Sequence, residues 1–167
     1  MTGKDQYYNR AKQEGYRTRS AYKLKQLDDA AGLFGPGNTV VDLGAAPGGW
    51  LQVAAEAVGE TGTVVGVDFQ RIDELDADTV ETIRGDMTAD DTKDRLRDRI
   101  GAYGADVVLS AMAPDMTGEY SVDPAPSVHL ARQAVEFALE LLPAGCHFPA
   151  KGFDGRDVVV LWYDSNP

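Results

Sequence analysis

The eleven residues Val40-Val41-Asp42-Leu43-Gly44-Ala45-Ala46-Pro47-Gly48-Gly49-Trp50 constrain this chain more than any other stretch. A β-branched run enters a turn holding three glycines, and a helical pattern through Leu51, Val53, Ala54, Ala57 and Val58 follows at once. That succession predicts a strand-turn-helix nucleotide site. With no side-chain bulk at Gly44, Gly48 and Gly49, a ligand can approach the backbone closely, and N–H groups at the helix start can meet an anionic group. A dinucleotide fingerprint reads G-x-G-x-x-G. Here Ala46 stands in place of its second glycine and Pro47 stiffens the turn, which disfavours NAD.

The remaining chain alternates strand-like and helix-like segments without repeats. Helical spacing covers residues 17–31, with Ala21, Leu24, Leu27 and Ala31 on one face and Gly32 as the stop. Strands are expected at Thr39–Leu43, Thr63–Asp68, 80–83 and 106–109, and a charged surface helix at 89–100. A second apolar helical period runs over 128–142, Pro143-Ala144-Gly145 punctuates it, and 146–151 reads as the next strand. The βαβ order predicts an α/β, Rossmann-like fold, a mostly parallel sheet with helices on both faces and its ligands beyond the carboxyl ends of the strands. At 167 residues the chain has the length of a single domain.

Composition narrows the partners. One cysteine, Cys146, excludes an intramolecular disulfide, and with only His129 and His147 besides it no Cys/His zinc cluster can form, so no metal is implied. The aliphatic runs are short and broken by charge, and the N-terminus does not read as a signal peptide, so a cytoplasmic monomer free of the membrane is expected. The net charge of −11 would argue against nucleic acid, but it is unevenly spread. Residues 1–25 hold seven basic and two acidic side chains, whereas the remaining 142 hold nine basic and 25 acidic. A basic arm on an acidic body fits an RNA-facing segment on a protein adapted to high salt, with Arg10, Lys12, Arg17 and Arg19 as phosphate contacts. The domain reading is an arm at 1–16, a body at 17–155 and an atypical tail at 156–167.

The pattern D-x-G-x-x-P-G-G resembles motif I of S-adenosylmethionine methyltransferases, and D-L-G-A-A-P-G-G-W resembles the FtsJ/RrmJ-type RNA 2′-O-ribose methyltransferases in particular. Further matches follow in the family's order: Arg19-Ser20-Ala21-Tyr22-Lys23-Leu24, Met112-Ala113-Pro114-Asp115-Met116-Thr117-Gly118 and Ala150-Lys151-Gly152-Phe153. The resemblance implies S-adenosyl-L-methionine as cofactor and ribosomal RNA or the large ribosomal subunit as partner, with methylation at a uridine 2′-hydroxyl. It assigns the turn Gly44, Ala45, Ala46, Pro47, Gly48, Gly49 and Trp50 to the cofactor. Asp68, 24 residues after Gly44 at the end of a strand, sits near the spacing at which an acidic side chain takes ribose hydroxyls. By resemblance alone, Asp86 accepts from the adenine amino group and Met87 packs on its ring.

The family works through a Lys-Asp-Lys-Glu tetrad, in which one lysine assists the ribose hydroxyl. The matches give Lys23 the first position and Lys151 that of the base. Where the family reads S-D-M-A-P-N, this chain reads Ser110-Ala111-Met112-Ala113-Pro114-Asp115, so the catalytic aspartate has become Ala111. The glutamate belongs to C-terminal strands that the chain is expected to lack, with 157–163 β-branched and aromatic where the family places a helix. The rival expectations are a catalytically impaired S-adenosylmethionine- or RNA-binding homologue, and a methyltransferase acting on a small molecule or a protein.

Overall fold

The computed structural model describes residues 15–110, 133, 136–142 and the strand backbones of 151–152 and 159–162. In chain order these give α1 (Ser20–Ala31), β1 (Thr39–Leu43), α2 (Gly49–Val58), β2 (Thr63–Asp68), β3 (Val80–Arg84), α3 (Asp90–Ile100), β4 (Val107–Ser110), a helical segment at 136–141, β5 (Lys151–Gly152) and β6 (Val159–Trp162). The strands form one sheet in the order β3-β2-β1-β4-β6-β5. The parallel core expected from the βαβ alternation is present, with β3, β2, β1 and β4 joined by three parallel pairings.

Alternation along the strands explains why helices cover both faces. Val40, Val64, Val107 and Leu109 turn to one side, where Ala21 and Leu24 of α1 and Leu51, Val53, Ala54 and Val58 of α2 cover them. Val41, Leu43, Val65, Val67, Ile83 and Val108 turn to the other and meet Leu96 of α3 with Phe137, Ala138 and Leu141. Gly66 sets how closely α2 settles, because a β-carbon there would lie 2.7 Å from Leu51 Cδ1 and 3.0 Å from the Ala45 β-carbon.

Three differences from the sequence reading have local causes. Helix α1 starts at Ser20 rather than Arg17, because Arg17 and Thr18 are engaged with α2 and the turn before it. Its other end is as expected, with Gly32 in the left-handed region at φ 63° and its N–H donating to Asp28 O at 2.7 Å. Second, the β-branched run of the 156–167 tail supplies β6, which pairs antiparallel with β4, Ser110 opposite Val159 and Val107 opposite Trp162. Third, of the strand expected at 146–151 only Lys151 is described. It pairs with Val160 at the sheet edge, beyond β6.

Among the described residues no helix is long and apolar enough to cross a membrane, and no group of three His, Cys, Asp or Glu side chains gathers to hold a metal ion. Arg10, Lys12, Ala111, Asp115 and the start of the helix expected at 128–142 lie outside the described residues.

Candidate active site

The turn after β1 is folded back on the end of β2. The N–H groups of Gly44 and Ala45 donate to Val67 O at 2.8 and 3.1 Å, and Ala46 N–H donates to Asp68 Oδ2 at 2.9 Å. Gly44 at φ 80° and Gly48 at φ 112° adopt conformations that side-chain-bearing residues rarely take, so the backbone itself calls for glycine there. Gly49 is glycine for another reason: any β-carbon would collide with the Thr18 side chain where the start of α1 crosses α2. The first turn of α2 leaves N–H groups without acceptors inside the helix, at the end where its dipole is positive.

Asp68 divides its carboxylate. Oδ2 takes the Ala46 N–H, and Oδ1 takes Gln70 N–H at 2.8 Å, which also makes the residue a turn cap. A carboxylate offers about four lone-pair positions, so two bonds leave capacity for a ribose diol. Asp86 behaves similarly. Its Oδ1 accepts from Thr88 N–H at 2.8 Å and from the Thr88 hydroxyl at 2.7 Å, and these bonds hold its carboxyl below the usual carboxylate range. Among the described residues Oδ2 makes no such local bond. Met87 is buried in the core cluster beneath α3. Trp50 also faces inward, its indole N–H donating to Ser20 O at 3.1 Å, which leaves the backbone N–H as its route to a ligand.

Sequence reasoning quoted Asp42 within the motif and gave it no role. It is 1 % exposed, and its Oδ1 has no hydrogen-bond partner among the described residues. Burial first, and the charge of Asp68 second, push its carboxyl well above the usual range. The available signal was a lone carboxylate in a five-residue strand that is otherwise Thr, Val and Leu.

The two expected lysines stand apart in how they are held. Lys23 is exposed, one turn into a helix whose start is fastened to α2 by the Trp50–Ser20 bond. Lys151 belongs to a register row that crosses the sheet through Gly66, Asp42, Leu109 and Val160. The next row toward the carboxyl edge holds Leu43, Ser110 and Gly152. Topology therefore brings Lys151, the glycine turn and the residue preceding Ala111 to one edge.

The FtsJ-like methyltransferase model matches residues 16–164. The chain belongs to the FtsJ-like methyltransferase family. It is 71% identical over 164 residues to a Haloquadratum walsbyi protein named ribosomal RNA large subunit methyltransferase E, covering 98% of this chain and 64% of that one. The Haloarcula marismortui protein of the same name is 63% identical over 174 residues, covering 100% and 66% respectively. The chain thus spans somewhat less than two thirds of the length of these relatives. Both are halophilic archaeal proteins, in keeping with the acidic body. A solved Plasmodium falciparum structure, assigned as a ribosomal RNA methyltransferase, superposes with a TM-score of 0.71 at 20% identity over 89% of this chain and 98% of that one, and shares the fold.

The family's cofactor is S-adenosyl-L-methionine, and the residues present fit it. The glycine turn accepts close approach, Asp68 keeps acceptor capacity for hydroxyls, and the orphaned buried oxygen of Asp42 lies two residues before that turn.

Proposed function

We propose that this chain methylates a ribose 2′-hydroxyl of RNA, with a uridine of large-subunit ribosomal RNA as target, in the cytoplasm and as a monomer. The observation that carries the reading is the bond between Ala46 N–H and Asp68, which joins the glycine turn to a carboxylate suited to ribose hydroxyls at the carboxyl end of β2. The names of the relatives support the RNA of the large subunit as substrate.

S-adenosylmethionine supplies a methyl group already activated by its sulfonium. The chain must bind, orient and deprotonate. Asp68 would hold the ribose of the cofactor, the Asp86 oxygen not engaged by Thr88 would meet the adenine, and the backbone N–H groups from Gly48 to Trp50 would take the anionic end. Lys151, as the neutral amine, takes the proton of the 2′-hydroxyl, and Lys23 is the first lysine of the catalytic set. With Ala111 in the position of the family's aspartate, no carboxylate there steadies Lys151, so turnover is slow rather than absent.

The test is transfer of tritiated methyl from the labelled cofactor to large-subunit RNA, followed by alkaline hydrolysis. A 2′-O-methyl group removes the internal nucleophile for backbone cleavage, so the label should persist in alkali-resistant dinucleotides. Label released with free nucleotides, or carried by protein, would overturn the reading.

A further inference from the structure

Arg17 was expected on RNA phosphate. Its side chain instead turns to protein backbone. Nη1 donates to Pro47 O and Asp73 O, both at 2.8 Å, and Nη2 donates to Glu74 O at 2.6 Å. The backbone N–H of Arg17 donates to Gln52 Oε1 of α2 at 2.8 Å, and Gln52 Nε2 returns a bond to Gly15 O at 3.1 Å. The root of the side chain is therefore fixed on α2 while its head bridges two loops.

Those loops leave the carboxyl ends of β1 and β2, the two strands that bear the glycine turn and Asp68. In a trans peptide the C=O and the next N–H point opposite ways, and the Pro47–Gly48 peptide is trans, the one cis bond among the described residues being Ala46–Pro47. Holding Pro47 O on the guanidinium therefore turns Gly48 N–H away from Arg17. Nη1 would also lie 3.0 Å from a β-carbon at Gly48, so the guanidinium rests directly against that residue. A planar fork with five donors in fixed directions can satisfy three carbonyls on two segments at once, which a lysine ammonium on a flexible stem does poorly.

We propose that Arg17 is a positioning residue for S-adenosylmethionine: by clamping Pro47, Asp73 and Glu74 it sets the gap between the two loops and aims Gly48 N–H at the cofactor. The inference rests on the reading of this turn as the cofactor loop. It places Arg17 outside the RNA contact surface and outside the chemical step.

The experiment compares the full chain with Arg17→Gln, Arg17→Lys and Arg17→Ala. Cofactor affinity is read by calorimetry, RNA affinity at fixed salt, and KM for the cofactor separately from kcat at saturation. Arg17→Gln should raise Kd and KM for the cofactor about tenfold or more while kcat at saturation and RNA affinity change less than about threefold. Arg17→Lys, keeping charge without the fork, should fall between. Millimolar ethylguanidinium should restore cofactor affinity to Arg17→Ala and leave the unmodified chain unaffected, an outcome that a general loss of folding would not give. Unchanged cofactor affinity in Arg17→Gln, or a loss confined to RNA affinity, would overturn the proposal while the cofactor reading stands. Absence of cofactor binding by the unmodified chain would overturn both.

Discussion

The carboxyl ends of β1 and β2 and the carboxyl end of β4 are neighbouring stretches of one sheet edge, and they are equipped in opposite ways. At the first, two aspartates lie close enough for the charge of Asp68 to raise the Asp42 carboxyl, and a glycine turn is bonded onto one of them. At the second, β4 ends on Ser110, buried and in register with Leu43, and the next residue in sequence is alanine. On the proposed reading, binding and chemistry are separable in this chain: carboxylates are concentrated where the cofactor would be held, and one is missing where the base would be steadied.

The contrast breaks most visibly at position 111. Ala111→Asp should raise kcat by roughly ten- to a thousandfold, or about 1.4–4 kcal/mol of barrier, with cofactor affinity unchanged. A reversion that leaves turnover where it was would remove the tetrad from the account and make Asp115 the next candidate. On the binding side, Asp68→Ala should weaken the cofactor by roughly 1–3 kcal/mol in a titration by calorimetry. Equal affinity in that variant would take Asp68 out of the site.

Asp42 sharpens the comparison through pH. Its folded pKa lies above the unfolded value, so the folded state holds the proton more tightly than the unfolded one. The cost of the buried carboxyl is therefore absent below the ordinary carboxylate range, grows as pH rises from there, and is complete above the raised folded value. Asp42→Asn should stabilise the chain by about 1 kcal/mol or more near pH 8, with the gap to the parent narrowing as pH falls toward 4. Thermal unfolding at a series of pH values reads this directly, and a gap that is constant with pH would mean that the carboxyl titrates alike in the folded and unfolded states. The smallest expected effect belongs to the arm. Neutralising Arg10, Lys12 and Arg19 should flatten the slope of log K for RNA against log salt by about 0.7 per contact. An unchanged slope would detach the arm from RNA.

Much of this arrangement was legible in the residues. The runs Thr39–Leu43 and Thr63–Asp68 form strands with the expected bounds because β-branched side chains flanked by glycine leave little alternative. The bounds at 80–83, 89–100 and 106–109 shift by a residue, where strand and helix ends depend on caps rather than pattern. Arg17 was not legible as a clamp, because its acceptors are carbonyls 30 and 56–57 positions away, and every residue carries a carbonyl. Trp50 belonged to a motif that pointed outward, yet packing drew its ring to the core while its N–H found Ser20. The antiparallel insertion of β6 beside β4 is equally silent in sequence, since a β-branched run declares a strand and not its neighbour.

Gly66 carries a lesson for anyone altering this protein. It lies in the middle of β2 and faces Leu51 and Ala45, both fully or nearly buried, so a methyl group there has nowhere to be accommodated. Even alanine would act as a wedge under the first turn of α2, prising up the glycine loop from behind. In a deep mutational scan selected for cofactor binding, position 66 should thus be as intolerant as the loop it never joins. A map of ligand sensitivity drawn from contacts alone would leave that hole unmarked.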